Sequence, residues 1–134
     1  MPDDTVQAGA QQRVIAAVVT RGDRMLVSRR PEHKRHGGLW EFPGGKVGDG
    51  ESDLEAISRE LREELDVATV QVAEPVFVIR DPGSPFLIVF VPVEIEGEPK
   101  CIEHTEHRWG TLAELLALDL APGDRSFVET CANR

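Results

Sequence analysis

The chain is poor in three things, and each shortage narrows what it can be. No apolar run approaches the ~18 residues that a membrane-spanning helix needs. Cysteine is reduced to Cys101 and Cys131, whose spacing matches no metal motif, so a disulfide scaffold and a thiolate metal site are both set aside. The two are expected to be buried thiols in a reduced, cytoplasmic protein. Positive charge is also short: 15 Lys and Arg face 24 Asp and Glu, a formal charge of −9. Duplex binding without sequence preference rests on cations that neutralise phosphates, so no stable nucleic-acid partner is expected. The polar stretch 1–12 carries Asp3 and Asp4 and resembles neither a secretory signal nor a basic transit peptide. It is expected to form a loose arm ahead of one domain spanning 13–134. Nothing in the sequence suggests an internal repeat, a low-complexity tract or a linker.

What is present has the rhythm of a layered domain. Val14 to Thr20 is a short, β-branched apolar run and predicts a buried strand, with Met25 to Ser28 returning after a turn at Arg21–Arg24. Leu39–Phe42 re-enters regular structure after a polar loop at 31–38. Ser52 to Leu65 is the strongest helical segment, with Leu54, Ile57, Leu61 and Leu65 forming one apolar stripe. Further strands are expected at Val76–Arg80 and Phe86–Ile95. Pro92 suggests an edge position or a bulge in the second of these. Leu112–Leu118 and Arg125–Cys131 complete the set as helices, with Ala121–Asp124 a loop between them. Strands around a central helix, with more helix later, favour an α/β or α+β domain.

The central helix carries an electrostatic liability. Residues three and four apart are neighbours on a helix, so Glu60 stands beside Glu63 and Glu64, and like charges so placed repel. A cation offsets that repulsion, and oxygen-only ligation suits Mg²⁺, with Mn²⁺ a possible substitute. Such a cation inverts the local field and turns an acidic pocket into a phosphate site. A strongly acidic chain is therefore compatible with a small phosphorylated ligand.

The residues Gly45, Glu51, Arg59, Glu60, Leu61, Glu63, Glu64, Asp66 and Val67 fall at the spacing of the Nudix box, with one departure: Asp66 stands where the family has glycine. That glycine ends the helix in a left-handed conformation, which Asp is among the few other residues to tolerate. The lead-in Gly38-Leu39-Trp40-Glu41-Phe42-Pro43-Gly44-Gly45-Lys46-Val47 resembles that of MutT-type nucleoside triphosphate pyrophosphohydrolases, and the likeness runs over roughly residues 12 to 130. The resemblance implies a Nudix fold, an α/β/α sandwich around a mixed β-sheet. It implies Mg²⁺-dependent hydrolysis of a modified nucleoside triphosphate to the monophosphate and pyrophosphate. The leading substrate is then 8-oxo-dGTP, in clearance of damaged nucleotides. A CTP or 5-modified dCTP pyrophosphohydrolase is the alternative. An ADP-ribose or dinucleoside polyphosphate hydrolase, or a nucleotide-binding module without catalysis, ranks below both. Pro82 lies near a proline of ADP-ribose members, but turn prolines are common.

The same resemblance implies roles. Glu60 and Glu64 would hold metal, with Glu63 beside them and the Gly45 carbonyl completing the set. Glu51 and Arg59 would tie loop to helix by a salt bridge. Glu103 would reach the metal site from a separate loop and serve as general base, with Glu106 the alternative. Arg30, or Arg29 in its place, would contact substrate phosphate. Trp40, Glu41, Phe42 and Asp124 would lie on the substrate side, Asp124 where guanine-specific members carry Asn. For Trp40 and Phe42, core packing is as good a reading. Asp124 could equally cap the final helix, and Arg29 and Arg30 could be surface charge. His33, His36, His104 and His107 are read as loop histidines, none a metal ligand. A monomer or a homodimer is expected.

Overall fold

The computed structural model describes residues 12–102, 104 and 106–134; the expected arm lies outside them but for residue 12. The chain runs β1 (Gln12–Arg21), β2 (Arg24–Arg29), β3 (Trp40–Glu41), β4 (Gly44–Lys46), α1 (Asp53–Leu65), β5 (Ala68–Val72), β6 (Phe77–Arg80), β7 (Phe86–Glu96), β8 (Glu106–Gly110), α2 (Leu112–Leu116) and α3 (Pro122–Ala132). The sheet is mixed. Its spine follows the order β3-β2-β1-β7-β5, with β4 added to β1, β6 to β7 and β8 to β2. The β1–β7 pair is parallel, Gln12 opposite Phe86 through Val19 opposite Val93.

That parallel pair explains why β1 and β7 read as continuous apolar runs, since both of their faces are covered. Ile15, Ala17 and Val19 of β1 join Val89, Val91 and Val93 of β7 beneath Ala56, Ile57, Leu61 and Leu65 of α1. The alternate residues Ala16, Val18 and Phe90 face Leu115 of α2 and Phe127 and Val128 of α3. One sheet between two helical layers is the α/β/α sandwich. α1 starts on a capping box in which Ser52 accepts from the Glu55 N–H and Glu55 accepts from the Ser52 N–H. It ends on Asp66 at φ 55°, ψ 45°, with Lys100 3.2 Å from its carboxylate. Asp thus occupies the left-handed position directly.

Several expectations change. Pro92 is in a central strand, not at an edge. Its carbonyl accepts from the Ala73 N–H, and the register shift lies in the partner strand, between Thr69 and Gln71. β5 and β8 are strands beyond those expected: β5 alternates but is short and largely exposed, β8 has no apolar alternation, and β8 makes His107 a strand residue. α3 begins three residues early at Pro122, a residue suited to a first helical turn, so the stretch 122–124 is helix and Asp124 is not its cap. Cys101 is exposed and Cys131 half-buried. Leu54 leaves the apolar stripe: it is 55% exposed, and Ala56 is fully buried instead.

This contrast is measurable. Leu61→Ala removes a fully buried side chain and should cost about 2–5 kcal/mol, whereas Leu54→Ala should fall within about 0.5 kcal/mol of the parent. Urea titration of both variants checks it, and equal losses would place Leu54 in the core after all.

Candidate active site

The site is built where β4 passes under α1. Gly44 pairs with Ala16 and Gly45 with Ile15 on β1. A Cβ on Gly44 would come within 1.8 Å of the Ile15 carbonyl, and one on Gly45 within 2.4 Å of the Glu60 carboxylate. Both must be glycine for the strand to lie this close. The Gly44 N–H donates to Glu64 Oε1 at 3.3 Å. The two glycines thus bring backbone polar groups against two carboxylates of the helix.

Arg59 fixes the loop before that helix. It grips Glu51 with a two-pronged pair, Nε to Oε2 at 2.8 Å and Nη2 to Oε1 at 2.9 Å, and Nη2 also donates to the Lys46 carbonyl at 3.0 Å. Its Nη1 reaches Glu60 Oε2 at 3.0 Å and Glu63 Oε1 at 3.3 Å. The guanidinium and the Gly48 N–H pull Glu51 down to a pKa of about 2. Glu63 lies on the outer side of this cluster with its side chain 53% exposed.

The cleft beside it, about 160 Å³, is lined by Arg30, Lys34, Glu41, Glu60, Glu64 and His104 together with Pro31 and the two glycines. Arg30 enters it, holding both oxygens of Glu41 at 3.0 and 3.1 Å. Arg29 does not line it; it donates to the Gly38 carbonyl at 3.1 Å and sits 3.4 Å from Glu106, its partner across the β2–β8 ladder. Glu103 lies outside the described residues. Glu64 is buried, and desolvation together with the carboxylates of Glu60 and Glu41 pushes its pKa far above the ordinary carboxylate range. A larger hollow of about 420 Å³ adjoins this cleft through Arg30 and Gly45 and is bounded by Arg35, Lys46, Asp81 and Phe86. Arg35 spans it to Asp81 at 3.2 Å.

Trp40 and Phe42 are not on the cleft. They are 6% and 3% exposed, and Phe42 meets Phe90 and Phe127 edge-on at centroid distances of 5.9 and 5.4 Å. Core packing therefore wins over the base-holding reading. Their backbones still matter: the Trp40 N–H donates to the Asp119 carbonyl, the Ala121 N–H to the Trp40 carbonyl, and the Phe42 N–H to Asp124 Oδ1 at 3.2 Å. These bonds hold the start of α3 against β3. Asp124 is buried there, and desolvation, with Glu41 adding repulsion, raises its pKa to about 8.

His104 is the residue that sequence reasoning passed over. Its side chain is 7% exposed, with Nε2 2.9 Å from Glu41 Oε2 and Nδ1 4.0 Å from Glu64 Oε1. A lone histidine in a polar loop carries no pattern. Only its nearness to Glu103 in sequence pointed this way.

Among the described residues, no three His, Cys, Asp or Glu side chains converge as a ready-made metal cage. The donor set nevertheless fits a hard cation. Mg²⁺ is commonly held by one or two carboxylates and completed by water and substrate phosphates, and Glu60 and Glu64 supply that pair on the cleft wall.

With this geometry in place, the comparisons are consistent. The NUDIX domain family matches residues 10–131, and the chain belongs to that family: it is a Nudix hydrolase. It is 37% identical over 124 residues to a putative 8-oxo-dGTP diphosphatase 2 of Mycobacterium tuberculosis, covering 90% of this chain and 88% of the relative. It is 37% identical over 120 residues to the CTP pyrophosphohydrolase of Escherichia coli, covering 87% of each. The solution structure of the E. coli ORF135 protein superposes with a TM-score of 0.77 at 33% identity, covering 93% of this chain and 92% of that one. A MutT NUDIX hydrolase from Burkholderia pseudomallei gives 0.77 at 26%, covering 89% and 96%.

Asp124 should leave a mark on stability. The folded chain keeps its proton up to about pH 8, whereas an ordinary aspartate releases it near 3.8. Ionisation therefore favours the unfolded chain, so this contribution is complete below about pH 4 and is lost as pH rises toward 8. Asp124→Asn keeps an acceptor for the Phe42 N–H and cannot ionise. It should gain on the parent by roughly 3 kcal/mol between pH 4 and 8, read by denaturant unfolding across that range. Parallel pH profiles for the two proteins would show that Asp124 ionises normally.

Proposed function

We propose that this hydrolase cleaves a nucleoside triphosphate to the monophosphate and pyrophosphate, with Mg²⁺ as cofactor and 8-oxo-dGTP the leading substrate. The observation that carries the reading is the convergence of Glu60 and Glu64 with the glycine strand and Arg30 on one cleft. Glu60, Glu64 and the Gly45 carbonyl would hold the cations, with Glu63 one turn away and free to swing from Arg59. Those cations, when bound, offset charge on the transferring group and acidify the attacking water. Glu103 would accept that water's proton as general base. Arg30 would hold phosphate oxygens, for which its planar fork is suited. The Glu51–Arg59 pair keeps the loop and helix in register. Water adds at phosphorus, the phosphoanhydride bond breaks, and pyrophosphate leaves. A role in clearing damaged nucleotides rests on the likeness to the diphosphatases.

Base choice would fall to Asp124. Protonated, it donates as well as accepts and can face the carbonyl edge of an oxidised guanine. Ionised, it only accepts, which suits the amino group of cytosine. That second state favours a CTP or 5-modified dCTP substrate, the activity for which one 37% identical relative is named.

Pyrophosphate release should be measured with Mg²⁺ and with EDTA on 8-oxo-dGTP, dGTP, dCTP, 5-methyl-dCTP, CTP, ADP-ribose and Ap4A. One triphosphate should stand out, and EDTA should abolish its turnover. Glu60→Gln should lose at least about 100-fold in kcat with the fold intact by circular dichroism; full activity in that variant would remove Glu60 from the metal site. The 8-oxo-dGTP to dCTP rate ratio should fall as pH rises through about 8, where Asp124 ionises, and a ratio flat from pH 7 to 9 would take base reading away from it. Silence on the whole panel with nucleotide still bound would leave a binding module.

A further inference from the structure

One feature of the cleft has no part in the chemistry above. His104 is nine-tenths buried, yet it sits in a polar loop and touches two carboxylates from different parts of the fold, Glu41 of β3 and Glu64 of α1. Glu41 already takes Arg30 on both of its oxygens, at 3.0 and 3.1 Å, so it acts as an acceptor. The 2.9 Å contact from His104 therefore has Nε2–H donating to Oε2, the oxygen 3.0 Å from Arg30 Nη1. Among the described residues, Nδ1 is then the buried nitrogen without a hydrogen-bond partner, 4.0 Å from Glu64 Oε1. A buried nitrogen left unpaired is costly, and a loop free to choose would turn the ring outward. The Glu41 bond and close packing hold it inward.

We propose that His104 is a positioning residue for the nucleotide: through Glu41 it fixes the Arg30 guanidinium over the cleft. Among the described residues, the Arg30 guanidinium has otherwise a single hydrogen bond, from Nε to the Arg35 carbonyl at 2.7 Å. Without His104, Glu41 keeps Arg30 as its one described side-chain donor, and the pair is free to swing together. A long arginine that must be ordered on binding costs affinity that a preset one does not. The role runs through Glu41 and Arg30, neither of which belongs to the proposed cation set; because His104 also faces Glu64 at 4.0 Å, metal affinity is measured separately. It rests on the reading that Arg30 meets substrate phosphate.

The test measures binding as well as turnover. Affinity for Mn²⁺ alone is read by electron paramagnetic resonance. Affinity for the α,β-methylene analogue of the triphosphate turned over fastest is read by calorimetry. His104→Ala should weaken the analogue by up to about tenfold, the scale of ordering one long side chain on binding, while Mn²⁺ affinity changes less, within about threefold. His104→Gln, whose amide can still donate to Glu41, should recover most of the loss. Glu41→Gln should lose a similar factor, and the double variant His104→Ala/Glu41→Gln should lose little more than either single one, because the two act in one chain. Losses that multiply in the double variant overturn the proposal, as does an His104→Ala affinity within twofold of the parent. Equal weakening of Mn²⁺ and analogue also overturns it, since that marks a general loosening of the cleft. A parent chain that turns over the panel while His104→Ala is indifferent sinks this inference alone. A parent chain that neither binds nor turns over any nucleotide sinks the functional reading and this inference with it.

Discussion

The carboxylates of Glu41, Glu60 and Glu64 face one small cleft, and the means by which each is neutralised govern the rest of the site. Like charges in a partly buried space repel far more than on an open surface. Glu41 has Arg30 and His104, and Glu60 has Arg59 at 3.0 Å. Glu64 has one described backbone donor, the Gly44 N–H at 3.3 Å, and no described cation in hydrogen-bonding contact. The arrangement leaves Glu64 as the group whose ionisation most needs an incoming positive charge. Burial and the neighbouring carboxylates keep a proton on Glu64 well above the ordinary carboxylate range, and the proposed cation would take that proton's place.

That arrangement depends on backbone closeness that only the sheet provides. β1 is held on one side by β7 in parallel and on the other by β4, so the glycines of β4 are pressed against a strand buried on both faces. α1 is fixed over them by Ile57, Leu61 and Leu65. A helix displaced by one residue would rotate Glu60 and Glu64 by about 100° away from the glycines. The hydrophobic stripe of α1 and its row of acids are thus two readings of a single helical phase. The core on one face sets the position of the charges on the other.

Much of this was legible in the chain because local chemistry and tertiary role coincide. The β-branched run of β1, the helical phase of α1 and the fixed spacing from Gly45 to Glu64 each carry their own signal. What escaped had no decisive signal of its own. β5 alternates but is short and half-exposed, β8 has no alternation, and both are stabilised by their neighbours. Leu54 sits at the right phase but in the first turn of α1, and is 55% exposed. Trp40 and Phe42 look identical in sequence whether they pack inward or face a ligand; Phe90 and Phe127 decide it. Asp124 was placed in a loop because Pro122 and Gly123 read as breakers, whereas Pro in a first helical turn loses no hydrogen bond. His104 had no signal of its own, since its role exists only once β3 and α1 are brought together.

The separation between the proposed metal side and the proposed base side follows from the same geometry. Glu60 and Glu64 belong to α1, on one face of the sheet, while Asp124 belongs to α3 on the other, tied to β3 through the Phe42 N–H. Glu41 is the electrostatic bridge, because its charge raises the pKa of both Glu64 and Asp124. Neutralising Glu41 with Arg30 and His104 weakens that influence in both directions. The helix carboxylates can then answer to a cation while Asp124 keeps or loses its proton according to its own burial. On the proposed reading, the phosphate chemistry and the choice of base are then set by different helices, α1 and α3.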